Sequence, residues 1–434
     1  MVLKAHFLRH LQKKFLKHLL ANVHPADTAP GCIVASPSRS EPDYFYHWFR
    51  DAALTIGSLL QSSSLGPDAK RNLILDWLSF EAEAAANVDQ NGELEGAGEA
   101  KVHATGKQFI EPWGRPQYDS SALRLYYGLQ ALEVLVQQGM IQQAEAQFNL
   151  VLLRDLTYTC QQIGKASFDI WEECHGIHFF TLASQCSALS SALSCRWLNP
   201  ELRAQCSAAL QKGEGSISAF LNSQILIPST LKPINCEPSN RGWCDSATLL
   251  AVSKFRRSLL LNAKTIRTLI RLVEQFTALY PINRSSTAPP LLGRYAEDIY
   301  FEGNPWIICT CFAIEWCFSA SLHMIQHPSL MLEAEASTAM SELYQHFPNL
   351  NKESSHARQL LVLGDAWLDR LLHQITSNGK THSIFKSSLH SAEQIHKESG
   401  RWVSAERLTW NYSALLDILR LRLSLEELQS SANI

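Results

Sequence analysis

The sequence lacks any long block of like charge beyond its N-terminus. Its 434 residues include 38 Lys and Arg against 41 Asp and Glu, which gives a formal net charge of −3. Proteins that bind nucleic acid through its phosphates usually carry a basic face or a run of basic residues. Nucleic acid is therefore not expected as a partner.

Long apolar runs and metal-binding spacings are also missing. No apolar run reaches the roughly 18 residues of a membrane-spanning helix, so no transmembrane segment is predicted. Cys309 and Cys311 are too close together for a zinc knuckle, and no second pair follows at ligand spacing. Neither a metal site nor a cofactor is expected.

The eleven cysteines do not have the pattern of a disulfide framework. Their number is odd, and most lie within apolar segments rather than in loops. These are predicted to be small buried residues of the core: Cys186, Cys195, Cys206, Cys309, Cys311 and Cys317.

The first twenty residues are basic but lack the continuous apolar stretch of a secretory signal. Apolar residues recur at helical spacing from Leu3 to Leu19, which predicts an amphipathic helix packed on the core. The alternative is a helix that targets an organelle or a membrane surface. The localisation is uncertain: the odd thiol count favours an intracellular protein or non-standard export, with secretion as the alternative.

Strand patterns are few, and helical periodicity runs along the chain. One strand is predicted, in the segment GCIVASPS at 31–38. The helices are predicted at about 51–63, 67–88, 122–136, 141–163, 178–196, 199–222, 266–280, 306–326, 330–347, 360–375, 386–398 and 410–428. The sequence therefore predicts an all-α protein. No linker or composition break divides it, which favours one domain over residues 1–434.

Several long connections between the helices are rich in Gly, Pro, Asn and aromatic residues, and long loops in compact domains are usually functional. Five tryptophans lie in or beside them, each near a charged residue or Asn: Trp48, Trp113, Trp171, Trp306 and Trp410. An aromatic face beside charged hydrogen-bonding groups suits a sugar ring. Each Trp alone could instead be a half-buried anchor of its loop. Together they favour a carbohydrate cleft.

Two acidic elements could supply the chemistry of such a cleft. Glu172 and Glu173 follow Trp171 in FDIWEECHG, and Glu393 lies far along the chain in HSAEQIHK. Glycoside hydrolysis uses two carboxyl groups, one that donates a proton and one that is ionised. A pair of glutamates is more often part of a solvated helix face, so both interpretations stay open on the residues alone.

Six segments, taken together, resemble the successive signature blocks of the glucoamylases, glycoside hydrolase family 15. In chain order they are IVASPSRSEPDYFYHWFRDAAL, WGRPQYDSSALR, FDIWEECHGIHFFTLASQCSAL, GRYAEDIYFEGNPWIICT, SAEQIHK and AERLTWNYSALL. The resemblance extends to about residue 420. It implies an (α/α)6 barrel of six inner and six outer helices, with long loops forming the active-site pocket at one end. It leaves no room for a separate starch-binding domain.

The resemblance also implies roles for individual residues. Glu172 matches the family's general acid, and Glu393 matches its general base. Arg50 and Asp51 match the pair that holds the terminal glucose. The matching substrate-binding positions are Tyr44, Trp48, Arg50, Asp51, Trp113, Arg115, Trp171, Glu173, Arg294, Asp298, Trp306 and Trp410.

The function expected from the resemblance is an exo-acting glucoamylase, most simply a monomer. It would remove glucose from the non-reducing ends of α-1,4-linked starch, glycogen or maltooligosaccharides with inversion, releasing β-D-glucose. One alternative is a non-catalytic glucan-binding or regulatory protein on the same barrel. Another is a different specificity within family 15, such as glucodextranase or trehalase.

Overall fold

The structure of the protein is a computed structural model that describes residues 5–88, 94–222, 225–284, 288–349, 353, 355–377 and 389–431. Its α-helices are α1 (Ala5–Leu20), α2 (Phe49–Leu60), α3 (Pro67–Val88), α4 (Tyr118–Gln137), α5 (Ile141–Gln147), α6 (Leu153–Gln162), α7 (Phe179–Ala192), α8 (Pro200–Leu221), α9 (Ala247–Phe255), α10 (Ala263–Leu279), α11 (Pro281–Arg284), α12 (Ile307–Gln326), α13 (Ala334–Gln345), α14 (His356–Ser377) and α15 (Thr409–Ser431). Helices dominate the described residues, as the sequence predicted.

The strands are short and lie between helices. They are β1 (Tyr46–Trp48), β2 (Lys101–His103), β3 (Ser167–Phe168), β4 (His175–His178), β5 (Thr230–Ile234), β6 (Ala392–Ile395) and β7 (Trp402–Glu406). All pair antiparallel, as β1 with β2, as β3, β4 and β5 in that order, and as β6 with β7. Each sheet fixes a connection between helices rather than forming a layer of its own.

Two predicted elements are wrong. The segment 31–38 has only an isolated bridge, between Ile33 and Val23, because its backbone groups pair with two separate parts of the chain. The helix predicted at 386–398 is absent from 389–398, which contain β6 instead. Residues 386–388 lie outside the described residues. The backbone of 392–395 pairs with β7, which no local periodicity could indicate. The N-terminal helix is confirmed over Ala5–Leu20, and Leu3 lies outside the described residues.

The chain divides into two compact units. The first comprises Met1–His18, Leu221–Ser229 and Pro238–Ile434, and the second comprises Leu19–Phe220 and Thr230–Glu237. The single domain expected from the sequence stays a prediction.

In the second unit, α4 packs between α2 and α7. Every residue of α2 is buried, because the helix lies in the interior with neighbours on all its faces. Gly57 allows the close approach, since a Cβ at this position would lie 2.2 Å from the ring of Tyr127 on α4. Beside these helices is a small apolar cluster of Cys32, Val34, Phe49, Phe80, Ala84, Val88, Val102 and Ala104.

In the first unit, α12 packs against α9, α14 and α15. Among the described helices, α12 has the length and apolar composition that could cross a membrane, and 89 % of that stretch is buried inside the structure. Such burial is usual for the core helix of a folded domain, so the composition gives a membrane assignment little support. The cysteines predicted as small core residues are all buried, including Cys309, Cys311 and Cys317 on α12.

A charged network lies in the interior of the second unit. The Arg124 guanidinium on α4 donates to both oxygens of Asp155 at 2.6 and 2.7 Å and to Glu81 at 3.0 Å. The ring of His47 and the indole of Trp77 contact the other oxygen of Glu81. Burial alone would raise the pKa of Glu81, yet Arg124 and His47 bring it below its usual value. One guanidinium therefore compensates two buried carboxylates.

Arg124→Met is expected to lower the free energy of unfolding by about 3–5 kcal/mol, because it leaves buried carboxylates without their cation. Urea unfolding followed by circular dichroism measures the loss. The matched control is Arg71→Met, which removes an Arg paired with Asp68 on the surface and should change stability little. Equal, small losses in the two variants would contradict this account of the network.

A second buried cluster, in the first unit, places Lys254 between two acids, and the partly exposed Arg420 pairs with one of them, Asp417, at 3.4 Å. Lys254 Nζ lies 3.0 Å from Glu315 Oε1 and 2.7 Å from Asp417 Oδ2. Burial raises the pKa of Glu315, Lys254 opposes the shift, and Asp417 adds to it. A carboxyl with a raised pKa stabilises the fold when protonated, and that contribution is lost as pH rises through its folded-state pKa.

Glu315→Gln should therefore gain stability relative to the wild type as pH rises from 4 to 8, since the amide is always neutral. The expected gain in Tm is on the order of 2–4 °C. Thermal melts of both proteins across this range measure it, and the exposed Glu145→Gln on α5 is the control. A gain that is the same at every pH would show that Glu315 is not the titrating group.

Candidate active site

Glu172 lies in a tight turn between β3 and β4. The Asp169 carboxylate accepts hydrogen bonds from the backbone N–H groups of Glu173 at 2.8 Å and Cys174 at 3.1 Å, and the Asp169 carbonyl accepts from Glu172 N–H. Glu172 itself has φ of +69°, in the left-handed region that non-glycine residues rarely adopt. Such a conformation persists only where the surroundings hold it, and it is concentrated at functional sites.

The Glu172 carboxylate accepts hydrogen bonds from four side chains. Its Oε1 accepts from Trp48 Nε1 at 2.8 Å, Gln117 Nε2 at 3.0 Å and Arg50 Nη2 at 3.3 Å. Its Oε2 accepts from Trp113 Nε1 at 2.7 Å. The Glu172 side chain is 13 % exposed, so most of it is shielded from solvent.

Two side chains of the sequence block 44–51, Trp48 and Arg50, donate to this carboxyl. Trp48 ends β1 and Arg50 and Asp51 begin α2, which turns consecutive residues toward the same region. Arg50 also donates to Gln117 at 2.7 Å and to Asp119 at 3.2 Å. The Arg50 Nε lies 3.7 Å from Asp51, and the Tyr44 ring packs edge-on to Trp48 at 5.4 Å.

Trp113 stands at the solvent edge of this cluster and is 38 % exposed. Gly114 lets its chain approach the turn, since a Cβ there would lie 2.5 Å from the Glu172 carbonyl oxygen. Arg115 does not contact Glu172 in the described contacts. Arg115 donates to Glu99 at 3.0 Å and to the Phe109 carbonyl, so it anchors the loop that carries Trp113.

Trp171 and Glu173 flank the acid in the turn. Trp171 is buried, as a wall residue would be. Glu173 lies in the same short turn and is half-buried. Its carbonyl accepts a hydrogen bond from Glu237 N–H at 3.1 Å.

Sequence reasoning missed two residues of this cluster. Lys101, on β2, places its ammonium 3.3 Å from the ring centroid of Trp113 and 4.4 Å from that of Trp48, with Phe109 and Tyr46 also within 5 Å. Burial lowers the pKa of Lys101 to about 8, against the opposing charge of Glu172. Gln117 was also missed, although it lies inside the WGRPQ block.

Glu393 lies in the first unit, on β6. The pairing of β6 with β7 is irregular between Ala392 and Gln394, and such bulges redirect side chains. Glu393 Oε2 accepts from Ser404 Oγ at 2.5 Å and from Gln394 Nε2 at 3.1 Å. Glu393 is 2 % exposed. Ser404, which sequence reasoning also missed, has a left-handed φ of +66° that turns its hydroxyl toward the acid.

Other predicted residues of the first unit form an ion pair among aromatic rings. Arg294 donates to both oxygens of Asp298, at 2.8 and 2.6 Å, and its guanidinium lies 4.8 Å from the ring centroid of Trp306. The backbone of Trp306 forms an isolated antiparallel β-bridge with Gln394, the residue that follows Glu393. Trp410 is buried and packs on Phe312.

The predicted residues therefore fall into two clusters, one in each unit. In the first cluster, Glu172 accepts hydrogen bonds from indole and guanidinium donors. In the second, Glu393 accepts a hydrogen bond from the Ser404 hydroxyl. Each offers a carboxyl group within a polar, aromatic setting, which suits proton transfer to or from a sugar-bound oxygen or water. Within the described residues, no group of three His, Cys, Asp or Glu could hold a metal ion.

The family model for glycosyl hydrolases family 15 matches residues 13–420. The chain belongs to this family, and it is a glycoside hydrolase.

The relatives it resembles carry matching names. A probable glucoamylase of Schizosaccharomyces pombe is 29 % identical over 416 residues, covering 93 % of this chain and 88 % of the relative. An intracellular, sporulation-specific glucoamylase of Saccharomyces cerevisiae is 28 % identical and covers 96 % and 84 %.

Among solved structures, the glucoamylase from Saccharomycopsis fibuligera matches with a TM-score of 0.82 at 23 % identity, covering 98 % of this chain and 96 % of that one. The glucoamylase of Hormoconis resinae matches with a TM-score of 0.80 at 24 % identity, covering 96 % and 73 %. This likeness shows the fold. The fold class predicted from the sequence, an all-α (α/α)6 barrel, is confirmed.

Proposed function

We propose that the protein is a glucoamylase. It would remove single glucose units from the non-reducing ends of α-1,4-linked starch, glycogen or maltooligosaccharides. The observation that carries the proposal is the environment of Glu172, whose carboxyl accepts from Trp48, Arg50, Trp113 and Gln117. The Glu172 carboxyl, the two Trp indoles and the Arg50 guanidinium together form a polar and aromatic setting that suits a sugar.

In the proposed reaction, Glu172 protonates the glycosidic oxygen while Glu393 deprotonates the attacking water. Because the attacking water lies between the base and the sugar, the reaction inverts the configuration at C1. The Ser404 hydroxyl supports the role of Glu393, since a donated hydrogen bond holds the carboxylate in one orientation. Arg50 and Asp51 would hold the sugar hydroxyls.

The product's anomeric form tests the mechanism. Proton NMR of the first product from maltoheptaose should show β-D-glucose, with the α-anomer rising only later by mutarotation, because a single displacement inverts C1. A brief digestion by a retaining α-glucosidase is the control, which should show the α-anomer first. An initial α-anomer from this protein would contradict the proposal.

A substrate panel separates the other specificities of the family. Maltotriose and glycogen should be hydrolysed at least about tenfold faster than trehalose or an α-1,6-linked dextran oligosaccharide. The non-catalytic alternative is less well supported, because both carboxyl groups are present and Glu172 and Glu393 each accept a hydrogen bond from a side chain. Binding of maltooligosaccharides without any turnover would favour it.

A further inference from the structure

The catalytic turn is joined covalently to another segment of the same unit. Cys174, two residues after Glu172, forms a disulfide with Cys236, 62 residues further on. The neighbouring Glu237 N–H donates to the Glu173 carbonyl at 3.1 Å, so the segment at 236–237 contacts the turn at two points. The other described cysteines are free thiols, and most of them are buried.

The turn needs such support because Glu172 has the strained backbone described above. On one side, the Asp169 carboxylate holds the N–H groups of Glu173 and Cys174. On the other side, the disulfide and the Glu237 contact join the turn to a segment whose residues 232–235 are exposed. The pairing of β4 with β5, which sets His175 opposite Ile234, also joins the end of the turn to this segment. The disulfide adds a covalent bond to that pairing and to the hydrogen bond between Glu237 and Glu173.

We propose that Cys174 and Cys236 are positioning residues for Glu172, and that a dithiol reductant which opens their disulfide lowers general-acid catalysis. The inference rests on the proposed role of Glu172. The disulfide holds the turn in the geometry in which Glu172 faces its four donors. Opening it lets the turn relax from the left-handed backbone, and a shift of the acid by about 1 Å can cost about 10²-fold in rate.

The redox step is an ordinary thiol–disulfide exchange. A thiolate of the dithiol attacks the sulfur of Cys236, which is partly exposed, whereas Cys174 is buried. The S–S bond breaks, Cys174 leaves as a thiolate and takes up a proton, and a mixed disulfide forms at Cys236. The second thiol of the reductant then displaces Cys236, so that the dithiol is oxidised by two electrons and both cysteines are reduced.

The test compares two substrates before and after reduction of the native protein. Maltotriose needs the proton from Glu172, whereas 2,4-dinitrophenyl α-D-glucoside releases a phenolate that needs none. Reduction and the variant Cys236→Ser should each lower kcat on maltotriose at least about tenfold. Turnover of the aryl glucoside should change less than about twofold. The matched control is Cys160→Ser, which removes a half-buried thiol of α6 and should leave both rates unchanged.

Equal losses on both substrates would overturn the inference, because they would indicate general damage to the fold. No loss on maltotriose would overturn it too, as would alkylation and mass spectrometry that find eleven free thiols in the unreduced protein. Hydrogen–deuterium exchange tests the inference without relying on enzyme activity. Reduction should speed exchange in a peptide covering 169–176 but not in α4, and an unchanged peptide would contradict the inference.

The two hypotheses fail in different ways. If the oxidised protein hydrolyses neither substrate, the proposed function fails, and the exchange experiment still decides whether the disulfide holds the turn. If the oxidised protein is active and reduction has no selective effect, the function stands and the inference fails.

Discussion

Replacing Glu172 with Gln is expected to lower kcat on maltotriose by about 10³-fold, within the range that general acid catalysis usually contributes. The amide keeps the size of the side chain but cannot give a proton to the leaving oxygen. On 2,4-dinitrophenyl α-D-glucoside the loss should be far smaller, because that leaving group needs no proton. Initial rates on the two substrates measure both effects.

The matched control for this variant is Glu111→Gln, the same chemical change at an exposed position of the loop that precedes Trp113. It should retain the wild-type rate on both substrates. Maltotriose turnover by Glu172→Gln within tenfold of the wild type would rule out Glu172 as the general acid.

Replacing Glu393 with Ala is expected to lower kcat by about 10²–10⁴-fold, because water is no longer deprotonated as it attacks. Sodium azide should partly restore turnover of the activated aryl glucoside, since the anion is already a nucleophile and fits where the carboxylate stood. An inverting attack would give β-D-glucosyl azide, which NMR identifies.

Two controls distinguish the base from the acid. Glu172→Gln should not give the azide product from maltotriose, because its leaving group still lacks a proton. Glu398→Ala, at an exposed position five residues beyond Glu393, should have the wild-type rate without azide. A Glu393→Ala variant that hydrolyses maltotriose at the wild-type rate would contradict the proposed base.

The sequence predicted best what local patterns determine. α10 and α14 follow from apolar periodicity, and the polar residues around Glu172 come from short contiguous blocks whose members stay close after folding. The strand β6 could not be predicted in this way, because its hydrogen-bonding partner β7 and its contact with Asn411 come from other parts of the chain. Tertiary pairing there overrides the local preference for helix.

The same reason explains the missed site residues. Lys101 is a single basic residue on the short strand β2, and only the folded chain surrounds it with aromatic rings. Ser404 lies eleven residues after Glu393 and meets it through the antiparallel pairing of two strands. The partner of Cys174 was equally invisible, since the pairing of cysteines cannot be deduced from their spacing.

The environment of Lys101 has a consequence for alkaline solution. Its ammonium is enclosed by indole, phenol and phenyl rings, and its pKa is lowered to about 8 by burial. Above that pH the ammonium becomes a neutral amine while the rings remain, so the cation beside the Trp48 and Trp113 indoles is lost. Alkaline solution would therefore weaken the cation–π contacts at the two indoles that donate to the Glu172 carboxyl.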